Sequence, residues 1–158
     1  MHVPLTERGR LQARAAADEL SDLRGVPARL WTSDQARAWQ TAEIIVACLD
    51  LDPIPDARLR EQALGWMEGK LASDLVAEPT PAGEHVSEVR WAGGESLADV
   101  AQRLDEFCDA LRDGSPGVEI VVSHGDTLRV LRARLAGRSH RDVEFDVFPN
   151  GHIAVAQL

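Results

Sequence analysis

Residues 118–132, VEIVVSHGDTLRVLR, decide the fold of this chain, because an apolar run leads directly into Ser-His-Gly and then into an amphipathic stretch. The pattern predicts a buried strand, a tight turn and a helix. It places His124 at the carboxyl end of a strand, beside the free backbone N–H groups of a helix start. Parallel α/β sheets bind anions at such positions. The stretch therefore predicts phosphate handling by an imidazole.

The composition is that of a globular protein with an acidic surface. A length of 158 residues suits one domain with a buried core, so we predict a single domain over residues 1–158. The net charge of −9 disfavours non-specific binding to nucleic acid and to anionic membranes, and we expect neither as a partner. A small phosphorylated metabolite fits, because a pocket can be basic on an acidic surface. The Cys, His and carboxylate residues show no metal-ligand spacing, so we expect no metal and no cofactor.

The two cysteines bear on the location of the protein. Cys48 and Cys108 each fall on the apolar face of a predicted helix, which indicates reduced core thiols and a cytoplasmic setting. No window approaches the roughly 18 apolar residues of a membrane span. The amino-terminal residues lack the pattern of a secretory signal.

Predicted strands alternate with predicted helices along the chain. Helical periodicity occurs at about 7–20, 36–49 and 97–111, as well as in the helix that opens at residue 125 and ends before Gly137. Strands are predicted at 29–33, 54–59 and 118–122, with a turn at 113–117, an extended piece at 142–148, a turn at 149–151 and a final strand at 152–158. This alternation predicts an α/β fold, a three-layer αβα sandwich around a mostly parallel sheet.

Two of these segments carry more specific expectations. In the first helix, Thr6 is the predicted N-cap, and Leu11, Ala15 and Leu20 fall on one side. Residues 62–94 are rich in glycine and proline, which predicts an irregular excursion that covers a site.

Side chains suited to phosphate chemistry follow three predicted strands. They are Ser33 and Arg37 after the first strand, Glu61 after the second, and His124, Gly125 and Thr127 after the third. An arginine fork matches phosphate oxygens, a glutamate can supply or remove a proton, and a histidine can attack phosphorus or hold a phosphoryl group. A glycine leaves room for a phosphate at the helix start. Each residue alone has an ordinary structural explanation, whereas their joint occurrence predicts a site.

Several other residues are assigned structural roles. Glu95 and Ser96, with Asp99 three residues on, form a capping-box-like pattern and are interpreted as helix-start residues. His85 is expected to be exposed in the irregular region, with substrate contact as the alternative. The four tryptophans are expected in the core or in a pocket wall.

The residues also carry a family resemblance. Five blocks bear it, in this order: Pro4-Leu5-Thr6-Glu7-Arg8-Gly9 with Gln12-Ala13; Thr32-Ser33-Asp34 with Arg37-Ala38 and Gln40-Thr41-Ala42; Leu59-Arg60-Glu61 with Gly65 and Glu68-Gly69; Gly93-Gly94-Glu95-Ser96 with Arg103; and Val122-Ser123-His124-Gly125, and Asn150-Gly151-His152-Ile153 also fits. Over essentially its whole length the chain resembles the histidine phosphatase superfamily, with its phosphoglycerate-mutase-like fold. The resemblance implies that Arg37 clamps the phosphoryl group, Glu61 protonates the leaving oxygen, and His124 is the second histidine, which donates to the phosphoryl oxygens. Ser33, Gly125 and Thr127 are the implied phosphate- and substrate-binding residues.

The resemblance further implies a nucleophilic histidine in an Arg-His-Gly motif on an upstream strand, and this sequence does not contain that motif. His2 is a poor substitute, because it matches a position well downstream of the nucleophile. We therefore expect the family's first strand to be missing, through a natural truncation, a mis-called start or trimming. In the family that strand lies in the middle of the sheet, and each backbone group left buried without a partner costs about 1–3 kcal/mol. Sheet rearrangement, strand exchange in a homodimer or an unstable product are the expected consequences.

Three functional interpretations remain. The favoured one is a phosphomonoesterase that acts on a small phosphorylated metabolite through a phosphohistidine, with phosphoglycerate mutase as the less favoured variant. The second is an inactive family member that binds a phosphorylated ligand or a protein partner. The third is different acid–base chemistry by Glu61 and His124 alone. The 158-residue chain itself is expected to be inactive or strongly impaired.

Overall fold

The computed structural model describes residues 3–75, 79–112 and 117–157. Its helices and strands are, in chain order, α1 Glu7–Glu19, β1 Ala28–Thr32, α2 Ala36–Leu49, β2 Pro53–Pro55, α3 Leu97–Arg112, β3 Val118–Val122 and α4 Gly125–Leu135. His2 and most of the predicted turn at 113–117 lie outside the described residues. No helix in the described ranges is long and apolar enough to cross a membrane.

The three strands form a parallel sheet in the order β2-β1-β3. Thr32, the last residue of β1, is in register with Val122 of β3 and Pro55 of β2. The sheet with its helices confirms the predicted α/β class. Because parallel strands end at the same edge of a sheet, residues that follow the three strands converge there.

Helices cover both faces of the sheet. Alternate side chains of β1 and β3 point to opposite faces, as the strand period of two requires. Leu30 and Ile120 pack against a core that includes residues of α1 and α2. Trp31 and Val121 pack against a second core, which is built mainly from α3 and α4. The predicted three layers are therefore present.

The buried face of α1 differs from the predicted one. Thr6 caps the helix as expected, since its side chain accepts a hydrogen bond from the Gly9 backbone N–H group. However, Leu11 and Ala15 are exposed, and the buried side chains are Ala13, Ala16 and Ala17. The side of α1 that faces the protein is thus lined by small residues. Of the two leucines in the predicted pattern, Leu20 is half-buried and packs against the core, whereas Leu11 is exposed.

The strand predicted at 54–59 is also shorter than expected. Its pairing ends at Pro55, and a 3-10 turn follows at Ala57–Leu59. Prolines at both ends of β2 lack the N–H groups that longer pairing would use. Asp56 then turns the chain, because its side chain accepts a hydrogen bond from the Arg58 backbone N–H group at 2.8 Å.

The predicted final strand is absent from the described residues 152–157, and the predicted extended piece pairs with no described strand either. A 3-10 turn at His140–Asp142 precedes these residues. We call residues 143–157 the C-terminal segment. Phe145 and Val147 are exposed in it, and Val155 is 94% exposed. A strand needs a neighbouring backbone that pairs with it, and none of the three described strands pairs with this segment.

The excursion predicted at 62–94 contains no α-helix or strand among its described residues. Its described residues contain only 3-10 turns, at Gly65–Met67, Ala72–Asp74, Val86–Glu88 and Trp91–Gly93. Trp66 in this region is largely exposed, which contradicts its assignment to the core or a pocket wall. Cys108 is buried and Cys48 is half-buried, and both are free thiols. Burial raises the pKa of the Cys108 thiol.

Candidate functional site

Two of the predicted site residues meet where β1 and β3 end. Ser33 follows β1, is fully buried, and donates its backbone N–H to the Val122 carbonyl at 3.0 Å. Its hydroxyl group shares a 2.9 Å hydrogen bond with Nε2 of His124. The same hydroxyl oxygen accepts a hydrogen bond from the Gln35 backbone N–H at 3.2 Å. Ser33 therefore fixes the orientation of the imidazole.

His124 is held in its neutral form. Its residue is only 6% exposed, and it is the N-cap of α4. Burial, together with the positive charges of Arg37 and Arg103, lowers the pKa of His124 to about 3. An unprotonated imidazole at neutral pH can donate one hydrogen bond and accept another. A phosphate dianion bound nearby would favour the protonated form, because opposite charges stabilise each other.

Glu61 is the half-buried carboxyl group of the site. Burial raises its pKa, and the negative charge of Asp126 raises it further. Its Oε1 atom accepts hydrogen bonds from the backbone N–H groups of Gln62 at 3.1 Å and Thr127 at 3.4 Å. A carboxyl group with a raised pKa keeps its proton to higher pH, which suits a group that protonates a leaving oxygen.

Gln35 connects Arg37 to Glu61, and sequence reasoning did not identify it. Its side-chain oxygen accepts from the Glu61 backbone N–H at 3.3 Å and from Nη2 of Arg37 at 3.5 Å. Among the described residues, this long hydrogen bond is the one that the Arg37 guanidinium makes. Most of its donors are therefore available to an anion. Gln35 lies between the family-like residues Asp34 and Arg37, but nothing in the sequence pattern marks it.

The other two predicted ligand-binding residues, Thr127 and Gly125, differ in burial. Thr127 is fully buried, and its hydroxyl donates to the Arg60 carbonyl at 2.7 Å and lies 3.5 Å from Oε1 of Glu61. Gly125 is exposed at the first position of α4, where a Cβ would lie 3.5 Å from Arg129. That is an ordinary contact, so packing does not require glycine there. Contact of either residue with phosphate stays a prediction.

An ion pair between Arg60 and Asp34 joins the segments that follow β1 and β2. Both nitrogens on one side of the Arg60 fork bind the Asp34 carboxylate, at 2.7 and 2.5 Å. The hydrogen bonds from Arg60 hold the pKa of Asp34 below its usual range. These residues flank Ser33 and Glu61 in the sequence. The pair therefore keeps two strand ends together directly beside the site.

The role assigned to Glu95 is wrong in one respect. Ser96 and Asp99 do form the predicted reciprocal cap, with backbone-to-side-chain distances of 2.9 and 3.1 Å. Glu95, however, accepts hydrogen bonds from Nε of Arg103 at 2.9 Å and from the Ala63 backbone N–H at 3.0 Å. It binds the segment next to Glu61 rather than the helix start. Only the fold brings these residues together.

The remaining histidines lie elsewhere. His85 is half-buried, not exposed, because its Nδ1 lies 2.7 Å from the Ser87 hydroxyl, which also lies 2.8 Å from Nδ1 of His140. This link joins the irregular region to the turn before the C-terminal segment. In the described part of the chain, no three His, Cys, Asp or Glu residues are grouped to hold a metal ion.

Comparison with known proteins gives consistent results. A family model described as the histidine phosphatase superfamily (branch 1) matches residues 1–158. Phosphoglycerate mutase-like protein 4 of Arabidopsis thaliana is 34% identical over 91% of this chain and 65% of its own length. The fructose-2,6-bisphosphatase TIGAR of Mus musculus is 37% identical over 67% of this chain and 40% of its own length. The chain thus spans less than two thirds of these relatives.

A solved structure shares the fold. The mycobacterial glucosyl-3-phosphoglycerate phosphatase superposes with a TM-score of 0.74 at 29% identity, over 90% of this chain and 73% of that one. Family match, shared fold and converging side chains lead to one conclusion: this chain belongs to the histidine phosphatase superfamily.

Proposed function

We propose that this chain is part of a phosphomonoesterase that hydrolyses a small phosphorylated metabolite through a phosphohistidine. The observation that carries the proposal is the convergence of a guanidinium, a neutral imidazole and a protonatable carboxyl group at one edge of the sheet. Arg37 interacts electrostatically with both His124 and Glu61. These groups match the three needs of phosphoryl transfer, which are charge neutralisation, orientation of the oxygens and protonation of the leaving group.

Each residue has one task in the proposed reaction. Arg37 binds two phosphoryl oxygens with its fork, and His124 donates a hydrogen bond to another. A nucleophilic imidazole nitrogen forms a bond to phosphorus while the bond to the leaving oxygen breaks, and Glu61 gives that oxygen its proton. In the second half, the Glu61 carboxylate removes a proton from the water that attacks phosphorus, and the nitrogen–phosphorus bond of the phosphohistidine breaks to restore the neutral imidazole. Inorganic phosphate leaves, and Glu61 is protonated again.

The nucleophile in this proposal lies outside the chain. Among the described residues, His124 is the one histidine in contact with the site residues, and its Nε2 atom is engaged by Ser33. His124 is therefore the assisting histidine. By itself the 158-residue chain should be inactive or strongly impaired.

Two alternatives use the same site. With one histidine at the site among the residues that the structure describes, the first alternative is that the chain alone binds a phosphorylated ligand without turnover. Phosphoglycerate mutase chemistry is the other alternative, and several relatives carry that name, such as the probable phosphoglycerate mutase GpmB of Cronobacter sakazakii. We favour hydrolysis, which is the activity named for the glucosyl-3-phosphoglycerate phosphatase and for the fructose-2,6-bisphosphatase TIGAR.

Turnover of an aryl phosphate tests the proposal. The 158-residue chain should show none, whereas a chain extended by the residues that its gene encodes upstream should be active. His124→Ala should abolish most of that activity, and the matched control His152→Ala, at an exposed position, should leave it unchanged. Turnover by the shorter chain would refute the placement of the nucleophile. An extended chain that binds inorganic phosphate without turnover would support the binding alternative, and phosphoryl exchange between phosphoglycerates would support the mutase.

A further inference from the structure

Arg103 reaches from α3 to the backbone on either side of residue 59. Its Nη1 atom donates a hydrogen bond to the Arg58 carbonyl, and its Nη2 atom donates to the Arg60 carbonyl at 2.8 Å. The Arg60 carbonyl belongs to the peptide bond that precedes Glu61. One guanidinium therefore holds the amino-terminal side of Glu61 in place.

Glu95 holds the carboxyl-terminal side. Its carboxylate accepts from Arg103 at 2.9 and 3.2 Å, and it also accepts from the Ala63 backbone N–H at 3.0 Å. The backbone of Glu95 donates to the Ala63 carbonyl at 2.8 Å and accepts from the Gln62 side chain at 2.7 Å. Glu61 thus sits between two anchored stretches of backbone. We call Glu95 and Arg103 the Glu95–Arg103 clamp.

Close backbone contact beside the clamp requires two glycines. A Cβ on Gly94 would lie 2.0 Å from the Ala63 carbonyl oxygen. A Cβ on Gly65, whose φ is +52°, would lie 2.1 Å from the Ala92 carbonyl oxygen. Nothing larger than hydrogen fits at either contact. The close contact between residues 63–65 and residues 92–95 therefore depends on these two glycines. The Glu95–Arg103 clamp lies beside this contact.

The environment of the clamp suits a positioning role. The side chains of Arg103 and Glu95 are 19% and 27% exposed, so their charges are partly shielded from water and compensate each other. Glu61 faces Arg37 of α2 and Asp126 of α4 as its charged neighbours. Burial is the largest cause of the raised pKa of the Glu61 carboxyl group. The carboxyl group keeps that burial only while the backbone at 58–63 stays in place.

We propose that Glu95 and Arg103 are positioning residues that hold Glu61 in the buried orientation needed for proton donation. The proposal rests on the proposed function, because it takes Glu61 as the proton donor. Without the clamp, the segment can relax and the Glu61 side chain can turn toward water. Arg103 has a separate electrostatic effect on His124, whose pKa its charge lowers. The effect of Arg103 on the position of Glu61 and the effect of its charge on His124 can therefore be tested separately by substitution.

The titration of Glu61 in the 158-residue chain tests the proposal. It is followed by the chemical shift of the Glu61 carboxyl carbon, and that signal is assigned by its absence in Glu61→Gln. Arg103→Met and Arg103→Lys should both move the pKa of Glu61 down toward its ordinary value of 4.5, because neither replacement can hold both carbonyls and Glu95 at once. Arg103→Met should also raise the pKa of His124, whereas Arg103→Lys keeps the charge and should leave it nearly unchanged.

Arg134→Met is the matched control. Arg134 also binds a carboxylate of α3, that of Asp105 at 2.6 Å, and a backbone carbonyl, that of Arg138 at 3.0 Å. Its side chain is 30% exposed, but it makes no contact with 58–63 among its described hydrogen bonds. Loss of Arg134 should destabilise the protein without moving the titration of Glu61.

Two results would overturn the proposal: an unchanged Glu61 titration in both Arg103 variants, or an equal shift in Arg134→Met. Should Arg103→Met fail to fold, Glu95→Gln tests the clamp from the other side. It should shift the Glu61 titration in the same direction and speed hydrogen exchange at the Ala63 amide, and an unchanged titration there would refute the clamp. These readouts need no substrate. A failed turnover experiment leaves them unaffected, and their failure leaves the proposed phosphatase activity standing.

Discussion

Strand β3 and the C-terminal segment have similar sequence patterns but different structures. Both contain short apolar runs, and both predict strands. Val118–Val122 pairs with β1 along its whole length and packs on both faces. Residues 152–157 pair with no described strand, and Val155 is 94% exposed. An apolar pattern therefore marks the capacity to form a strand, while a partner backbone and covered faces decide whether the strand forms.

A few contacts hold the C-terminal segment against α4. Phe148 stacks on His152 with ring centroids 5.3 Å apart, and the Arg132 guanidinium lies 4.9 Å from the Phe148 ring. Arg129 donates to the Asp146 carbonyl at 2.8 Å. These contacts are local and largely exposed. Apart from Val143, which is buried in the second core, we expect the segment to respond to mutation far more weakly than the sheet and its cores.

The largest expected contrast is in the free energy of unfolding. Phe107 is fully buried and meets Trp31 edge-to-face at 5.7 Å, so Phe107→Ala should cost about 3–5 kcal/mol. Val155→Ala, on an exposed side chain, should change stability by less than about 0.5 kcal/mol. Urea unfolding followed by circular dichroism measures both. Similar losses would show that the C-terminal segment is packed after all.

The second contrast is in pH dependence. His124 has a pKa of about 3 in the folded chain, against an ordinary value of 6.5. Between these values the unfolded chain binds more protons, so the folded protein loses stability as the pH falls, by up to about 1.4 kcal/mol per pH unit. His124→Gln should reduce that slope. His152→Gln in the C-terminal segment should not, and a slope unchanged in His124→Gln would refute the burial of a neutral imidazole.

Two glycines give the third contrast. Gly94→Ala should cost about 1–3 kcal/mol, because the new Cβ meets a backbone oxygen that is held from both sides. Gly151 lies in the C-terminal segment at φ +81°, and a Cβ there would be 3.1 Å from the Gln12 carbonyl oxygen. Gly151→Ala should cost about 1 kcal/mol, since an exposed segment can shift to relieve the contact. Thermal unfolding compares the two, and a reversed order would indicate a rigidly held C-terminal segment.

The smallest effect concerns the anchor of the C-terminal segment. Phe148→Ala removes the stacking and cation–π contacts, which together stabilise by about 0.5–1.5 kcal/mol. Limited proteolysis should then cut within 143–157 sooner, with cleavage elsewhere unchanged. Phe145→Ala, at an exposed position, is the control and should behave as the unsubstituted chain. Equal cleavage rates in all three proteins would place the anchor elsewhere.

Much of the fold could be predicted from local patterns. Apolar runs followed by glycine or polar turns marked β1 and β3, and long helical periods marked α2 and α3, because these elements bury one wide apolar face each. The buried face of α1 was missed, since its contacts use alanines, which carry little hydrophobic signal. The length of β2 was missed because prolines permit pairing at a strand start but not its continuation.

The candidate site shows the same division. Arg37, Glu61 and His124 were named from residue type and position, and the structure brings Glu61 near Arg37 through Gln35. Gln35 has no chemical signature of its own, so only its two hydrogen bonds identify it. Glu95 was misassigned because its neighbours Ser96 and Asp99 form a real cap. Its own partner, Ala63, lies 32 residues away.

By itself, the sequence determined the order of elements, the α/β class, the family and the residue types that handle phosphate, because each of these is written in local spacing and side-chain chemistry. Tertiary structure alone decided which apolar runs became strands and which alanines were buried. It also decided that Glu95 and Arg103 enclose the backbone around Glu61, and that His124 stays neutral beside two arginines. Burial, backbone pairing and electrostatic shielding depend on residues far apart in the chain, and only folding brings those residues together.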